Sequence, residues 1–204
     1  QVPVIRSRSA GKDGDSNPFA STVRATMRSD PDILMVGEVR DPASAELLIH
    51  AVQSGHQVYT TTHASGGIDI IARLRSNHVP DDVLGGQNFI SGLMYQTLLP
   101  VVCPHCSTSI EDFKKLIKTE AEDEMLQRVY RHLGNSQAQL IKFKHDEGCP
   151  HCAMGVVGRT VASEIILPDD YMLRCFRNRQ DADALMYHVF NGGKIALHHG
   201  IEKL

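Results

Sequence analysis

The sequence predicts an α/β fold, and the residues from 33 to 62 carry that prediction. Residues 33–36 form a continuous apolar run, which is typical of a strand buried on both faces of a parallel sheet. Residues 58–62 are mainly β-branched and aromatic and predict a second strand. The stretch between them has apolar side chains at helical spacing. A strand, a helix and a strand in this order form a βαβ unit with a right-handed crossover.

The connecting helix has sequence signals at both ends. Asp41 is a suitable N-cap because its carboxylate can accept a hydrogen bond from a first-turn amide, and Pro42 suits the first helical position. Gly55 fits the C′ position, where a left-handed backbone ends many helices. The apolar stripe of this helix consists of Ala45, Leu48, Ala51 and Val52.

The other elements are predicted from apolar spacing and turn residues. Residues 29–31 and 77–82 have the composition of turns. The remaining elements are, in chain order, an exposed loop (6–17), a helix (18–29), a helix (67–75), a buried helix that runs up to the first cysteine pair (83–102), one or two amphipathic helices (113–133), a short loop and strand (155–166) and a mostly helical tail (169–204).

The composition argues against two classes of protein. A hydrophobic content of 42% and a charged content of 22% are typical of a globular protein. The net charge of −3, the absence of Trp and the low aromatic content argue against a broad nucleic-acid-binding surface. No apolar run approaches the ~20 residues that a membrane-spanning helix needs.

Two copies of Cys-Pro-His-Cys are the most specific motif in the chain. Cys103 and Cys106 form one pair, and Cys149 and Cys152 form the other. Each pair places two sulfurs on one tight turn, and two such turns supply the four thiolates of a tetrahedral structural zinc site. Such a site would close the intervening residues into a subdomain whose folding depends on the metal.

Other interpretations of these cysteines remain open from the sequence. They could form disulfides in an oxidising compartment, or one pair could be a dithiol redox site. His105 or His151 could replace a cysteine in a mixed metal site. Cys175 stands alone and is interpreted as a small buried hydrophobic residue.

Two titratable residues follow the predicted strands. Glu38 comes after the first strand and His63 after the second. Ligands of open α/β sheets bind outside the carboxyl ends of the strands, so these side chains are expected to meet in one cleft. There a carboxylate can orient a water or hold Mg²⁺ through a water, and a histidine can contact a phosphoryl group. Arg40 could neutralise phosphate charge or pair with a carboxylate across an interface.

The segments that carry these residues resemble a known family. Residues 30–41, with Gly37-Glu38 in place of the more common Asp-Glu, resemble the Walker B segment of the type II/type IV secretion and type IV pilus motor ATPases. Residues 55–64 resemble the His box of that family. Residues 91–99 running into Cys103 are similar to the helix that leads into its zinc subdomain, and residues 155–160 with Glu164, and 193–203, are similar to its closing segments.

The resemblance implies a fold and a cellular role. It implies the C-terminal half of a RecA-like P-loop NTPase core (1–102), a tetracysteine zinc subdomain (103–158) and a mainly helical C-terminal subdomain (159–204). The implied full-length protein is a homo-hexameric motor ATPase that uses ATP and Mg²⁺, contains structural zinc and contacts no nucleic acid directly. It would lie in the cytoplasm, bound peripherally to platform proteins of the inner membrane. The four cysteines point to the pilus-assembly and type II secretion branch, or to conjugative thin-pilus relatives.

The resemblance also implies residue roles. Glu38 would be the catalytic carboxylate that polarises water for attack on the γ-phosphate, and Arg40 a supporting charge beside it. His63 would couple the nucleotide state to movement between subunits, and both Glu38 and His63 would contact the nucleotide. Arg24 and Arg28 match arginines of a Leu-Arg-rich run, with no role assigned to them.

One expected motif does not occur in these 204 residues. No GxxxxGK[ST] is found, and Gly11-Lys12 and Gly193-Lys194 lack the glycine loop and the Ser/Thr that cradle phosphates. The chain also begins with Gln1, so we expect a fragment that binds ATP weakly or not at all. A non-catalytic zinc-binding interaction module and a thiol redox protein are the alternative functions.

Overall fold

A computed structural model of the protein describes residues 4–5 and 25–203. Its strands are β1 (Val4–Ile5), β2 (Ile33–Val36), β3 (Gln57–Thr60), β4 (Leu93–Val102), β5 (Thr108–Ser109), β6 (Lys142–Phe143) and β7 (Val156–Ile166). Its helices are α1 (Pro42–Gln53), α2 (Asp69–Ser76), α3 (Asp81–Leu84), α4 (Ile110–Leu116), α5 (Glu120–Ala138), α6 (Asp170–Arg177), α7 (Asp181–Phe190) and α8 (Ala196–Ile201). The predicted loop at 6–17 and most of the predicted helix at 18–29 lie outside the described residues, although residues 25–27 are helical.

The predicted βαβ unit is confirmed. Strands β1, β2 and β3 form a parallel sheet in that order, with α1 connecting β2 to β3. Val36 of β2 lies opposite Thr60 of β3, so the carboxyl ends of the two strands are level. Leu34 and Val36 are buried whereas Met35 is 40% exposed, so the expected burial on both faces of β2 was wrong. A strand side chain is buried only where another element packs on its face, and an apolar run does not specify that partner.

The predicted ends of α1 are confirmed as well. The Asp41 carboxylate accepts a hydrogen bond from the Ser44 amide at 2.8 Å, and the Asp41 amide donates to the Ser44 hydroxyl at 3.2 Å. This reciprocal pair is a capping box that satisfies the amide of the N-cap residue Asp41 and the first-turn amide of Ser44. At the other end, Gly55 has a φ of +92°, which a residue with a side chain rarely adopts. Local sequence therefore determines both ends of the helix that connects the two strands.

The predicted helix at 83–102 was wrong. Helix α3 ends at Leu84, and residues 93–102 form strand β4, which pairs with β7. Gly85 packs so closely on the Leu173 carbonyl and the Arg177 side chain that a methyl group there would lie 2.7 Å from the carbonyl oxygen. This stretch also contains Gly86, Gly92 and Pro100, which disfavour a helix, and Pro100 is tolerated in a two-stranded sheet.

The described residues fall into two compact units. The first comprises the described residues up to 95 together with 164–195, and the second comprises 96–163 together with 196–203. The division into 1–102, 103–158 and 159–204 was drawn from the sequence and stays a prediction. The core of the first unit is built from α1, α2, α3, α6 and α7, with Phe176, Ile71 and Leu84 fully inaccessible to solvent.

The second unit has a separate small core. Ile110, Leu126 and Ala138 are buried in it, and the rings of Phe113 and Phe143 stack at 3.9 Å between centroids. Helices α4 and α5 confirm the amphipathic helices predicted between the cysteine pairs. Strand β7 and helices α6, α7 and α8 confirm the predicted strand and helical tail. None of the helices in the described part of the chain is both long enough and apolar enough to cross a bilayer.

A network of charges holds α2 to α3 and α7 within the first unit. Arg75 of α2 donates to Asp81 at 2.6 Å, to Asp181 at 2.8 Å and to the Phe176 carbonyl at 3.1 Å, and Asp81 also accepts from Arg179. The Arg75 side chain is 17% exposed. Hydrogen bonds to Asp181 raise the pKa of Arg75 above its usual value, with a further contribution from Asp81. Asp181 thus pairs with the Arg75 guanidinium, whereas Asp81 pairs with both Arg75 and Arg179.

We expect Arg75→Met to lower the free energy of unfolding by about 3 kcal/mol, because it leaves the partly buried Asp181 carboxylate without its guanidinium and leaves Asp81 with Arg179 alone. Urea denaturation of the zinc-loaded protein measures this change. The matched control is Arg128→Met, which removes the exposed pair of Arg128 with Glu124 and should have little effect. Equal effects of the two substitutions would contradict a structural role for the Arg75 network.

Candidate active site and candidate metal centre

The first candidate site lies where β2 and β3 end. The two segments remain paired beyond the ends of the strands, because the Val39 amide donates to the Thr61 carbonyl at 2.9 Å. The Thr61 hydroxyl donates to the Gly37 carbonyl at 2.6 Å and the Thr62 hydroxyl to the Val39 carbonyl at 3.2 Å. These bonds fix the backbone on both sides of Glu38 and on the N-terminal side of His63.

The structure brings Glu38, Arg40 and His63 together. Arg40 donates from Nε to Oε2 of Glu38 at 2.6 Å, and Nε2 of His63 lies 3.5 Å from Oε1 of the same carboxylate. The Glu38 side chain is 14% exposed and that of His63 is 91% exposed. Glu38 is thus a mostly buried carboxylate with one oxygen on an arginine and the other facing a solvent-accessible imidazole.

The charges around Glu38 favour its ionised form. The hydrogen bond from Arg40 holds the pKa of Glu38 below its usual value, against the opposing effect of burial. The charges of Arg40, His63 and Arg73 lower it further. Glu38 is consequently a weak proton acceptor that carries a full negative charge at neutral pH. Such a group is better suited to orienting a water or a cation than to removing a proton.

Sequence reasoning missed three residues of this site. Arg73 of α2 contributes positive charge to Glu38, although it lies far from Glu38 in the chain. Thr61 and Thr62 were read only as strand residues, but their hydroxyls connect the two strand ends. Three successive threonines at a strand end are the signal that would have suggested this role. Arg28 is exposed in the turn after residues 25–27, and Arg24 lies outside the described residues.

The second candidate site is formed by the two cysteine pairs. Sγ of Cys103 lies 3.8 Å from that of Cys149, Sγ of Cys106 lies 3.7 Å from that of Cys152, and the Sγ atoms of Cys149 and Cys152 are 3.6 Å apart. All four Sγ atoms lie within 4.8 Å of one another. In the described part of the chain, this is the one cluster of three or more His, Cys, Asp or Glu side chains with metal-binding geometry.

These distances fit a tetrahedral metal. A zinc ion about 2.3 Å from each of four sulfurs places the sulfurs about 3.8 Å apart. Backbone contacts bring the two turns together: the Cys103 amide donates to the Gly155 carbonyl at 2.8 Å. Gly155 has a φ of +78° and lies directly against the His145 backbone, so a side chain would not fit there.

The thiols alone do not form a stable charged cluster. Burial and the neighbouring thiols raise the pKa of Cys106 to about 12. Burial opposes ionisation of Cys152 as well, but amides of Cys149 and Gly155 outweigh it and lower the pKa of Cys152 to about 7. Four thiolates in this space require a bound cation to compensate their charge. The donor set therefore matches a metal that prefers sulfur.

The histidines of the two motifs take no part in the cluster. The rings of His105 and His151 pack on each other with their centroids 4.5 Å apart. All four clustered cysteines are free thiols, so the structure contains no disulfide among them. Cys175 is buried in the core of the first unit, as predicted.

Comparison with known proteins gives the same family along the whole chain. The family described as "Type II/IV secretion system protein" matches residues 2–204. The "Type II secretion system ATPase E" of Vibrio cholerae is 28% identical, with 84% of this chain and 31% of the relative covered. The "Type II secretion system protein E" of Pseudomonas aeruginosa is 31% identical, with 86% and 32% covered. The "Type IV pilus assembly ATPase PilB" of the same species is also 31% identical, with 72% and 24% covered.

A solved structure agrees at the level of the fold. The ATPase DotB of Legionella pneumophila superimposes with a TM-score of 0.55 and 20% identity, over 91% of this chain and 38% of that chain. The predicted α/β class is therefore confirmed. This chain spans about a third of the length of the type II secretion relatives. The resemblance read from the Walker B-like and His-box-like segments is confirmed, and the chain belongs to the type II/IV secretion system protein family.

Proposed function

We propose that this chain is the C-terminal half of the RecA-like core of a motor ATPase, with its zinc subdomain, that drives type II secretion or type IV pilus assembly. The observation that carries the proposal is the 3.5 Å approach of His63 to Glu38 at the ends of neighbouring parallel strands. Ligands of α/β sheets bind at this edge. The relatives named as secretion and pilus-assembly ATPases support ATP as the substrate.

Glu38 orients the attacking water in this proposal. Its carboxylate is ionised, Arg40 occupies one of its oxygens, and the backbone is hydrogen-bonded on both sides of it. The remaining lone pairs can accept hydrogen bonds from a water aimed at the γ-phosphate. Phosphoryl transfer depends mainly on positioning and on electrostatic stabilisation, so a weak base suffices.

His63 reports the state of the nucleotide. Its ring contacts Glu38 through one nitrogen and is otherwise open to solvent, so it is free to exchange Glu38 for a phosphoryl oxygen. Arg40 also has an exposed side chain and can pair with a charge of a neighbouring subunit. A homo-hexamer in the cytoplasm, bound to platform proteins at the inner membrane, is the assembly that this coupling serves.

The phosphates themselves need residues outside this chain. None of the 204 residues forms a GxxxxGK[ST] loop, so the amides and the lysine that cradle the phosphates would come from the rest of a longer protein. Mg²⁺ would bind mainly through the phosphates and water, with Glu38 as the nearby carboxylate, and would neutralise charge on the γ-phosphate. By itself the chain should bind ATP weakly and not hydrolyse it.

The four-cysteine cluster holds a structural zinc ion in this proposal. Its sulfur-only donor set and tetrahedral spacing support zinc, and no ligand position is left open for catalysis. The metal would organise the second unit rather than take part in hydrolysis.

We expect Glu38→Gln to lower ATP turnover of the longer protein by roughly 10²–10⁴. The amide keeps the shape of the side chain but loses the charge that aligns water. Steady-state phosphate release measures the change, with Glu46→Gln on the exposed face of α1 as the matched control. An unchanged rate in Glu38→Gln would remove Glu38 from the mechanism and favour a non-catalytic zinc-binding module.

We expect Arg40→Gln to raise the pKa of Glu38, because it removes the hydrogen bond that contributes most to the lowered value. Arg40→Lys, which keeps the charge, should raise it less. Carboxyl-carbon NMR titration, assigned with Glu38→Gln, measures both. Since a lowered pKa stabilises the fold above the usual carboxyl pKa, the contribution of this pair should disappear as the pH falls through the lowered value. An unaltered Glu38 titration in Arg40→Gln would contradict the electrostatic account.

We expect Cys149→Ser to abolish zinc binding and to unfold the second unit while leaving the βαβ unit folded, because structural zinc contributes about 10–16 kcal/mol to folding in finger peptides. Metal analysis and backbone amide exchange measure the two effects. Cys175→Ala, which removes a cysteine outside the cluster, is the control and should keep one zinc per chain. Full amide protection of residues 103–158 in zinc-free Cys149→Ser would show the metal to be incidental.

A further inference from the structure

The position of His63 is not explained by its own contacts. Its side chain is 91% exposed, so packing does not hold it against Glu38. On its N-terminal side the backbone is fixed by the Thr62 hydroxyl, which donates to the Val39 carbonyl. On its C-terminal side the next buried residues are Gly67 and Ile68. The geometry of His63 therefore depends on what holds the chain at Gly67.

Gly67 lies directly on strand β7. A methyl group at Gly67 would lie 2.7 Å from Oε1 of Glu164 and 2.9 Å from Cδ1 of Ile166. Both distances are too short for real contacts, so an added methyl group would push the ends of the Glu164 and Ile166 side chains aside. At the preceding Gly66 a methyl group would lie 3.4 Å from Oδ2 of Asp69, its nearest neighbour, which is an ordinary contact. The two adjacent glycines thus differ in the space available for a side chain.

Glu164 is an unusual residue to find beneath this segment. It is 5% exposed and is the only buried acidic residue in the described part of the chain. Burying a carboxylate is unfavourable unless hydrogen bonds compensate it, so its presence in the core requires specific partners. Its Oε1 lies against Gly67, two residues before α2 begins, and Ile68 at the N-cap of α2 provides no side-chain cap. Negative charge is favourable beside the first turn of a helix.

We propose that Glu164 is a positioning residue for His63. It fixes the chain at Gly67 and the start of α2, and the bond of Thr62 fixes the other side, so the short segment between them holds the imidazole at Glu38. Helix α2 also carries Arg73, whose charge acts on Glu38, so the same anchor aligns both Arg73 and His63 with Glu38. This inference rests on the proposed function for its catalytic consequence but not for the anchor itself.

The anchor is tested by the mobility of residues 64–68 in the zinc-loaded 204-residue chain. We expect Gly67→Ala and Glu164→Ala to lower the backbone order parameters of these amides from about 0.85 to below about 0.6. Glu164→Gln keeps the shape of the side chain and one acceptor oxygen, so its order parameters should lie between those of the two alanine variants and those of the wild type. Gly66→Ala is the matched control and should change nothing. Unchanged order parameters in Gly67→Ala and Glu164→Gln would overturn the inference, as would an equal loss of order throughout α1.

The catalytic consequence is tested in the longer protein. We expect Glu164→Gln to lower kcat by about tenfold to a hundredfold with little change in KM, since a displaced group weakens catalysis more than binding. In a His63→Ala background the same substitution should cause no further loss, because residues that act through one another are not additive. A full additional loss there would overturn the role through His63. A different outcome separates the two proposals. If His63→Ala keeps full turnover while residues 64–68 become mobile in Glu164→Gln, the proposed function is refuted but the anchor is retained.

Discussion

The parallel pairing of β2 with β3 is the constraint on which the candidate active site depends. Because Val36 lies opposite Thr60, strands β2 and β3 end at the same level of the sheet. Hydrogen bonds from Val39, Thr61 and Thr62 then continue the pairing beyond the strands. The backbone geometry of the two strand ends therefore brings the segments that carry Glu38 and His63 next to each other.

The two candidate sites are stabilised by different interactions. Around Glu38, charge is compensated within the protein by Arg40, so the carboxylate is ionised and oriented before any ligand arrives. Around the cysteines, burial opposes ionisation and the protein supplies no cation of its own among the clustered side chains. The first site is consequently preorganised, whereas the second becomes a stable charged cluster only with a metal.

The ends of α1, which have strong local signals, were predicted correctly, whereas the helix predicted at 83–102 was wrong. The capping residue Asp41 and the left-handed Gly55 act within one helical turn, so the ends of α1 could be read from the sequence. Residues 93–102 were read as helix because apolar content alone does not distinguish a buried helix from a strand. Their actual state depends on pairing with β7, more than fifty residues away in the chain.

The sequence by itself determined the βαβ unit, the positions of Glu38 and His63 after its two strands, and the two cysteine pairs that cluster, since these follow from residue type and short-range spacing. Only the tertiary structure decided which oxygen of Glu38 faces Arg40, that the charge of Arg73 reaches it, and that Glu164 is buried beneath Gly67. The reason is physical. Capping and periodicity act between residues a few positions apart, whereas burial and charge depend on distances in space between residues that the chain separates widely.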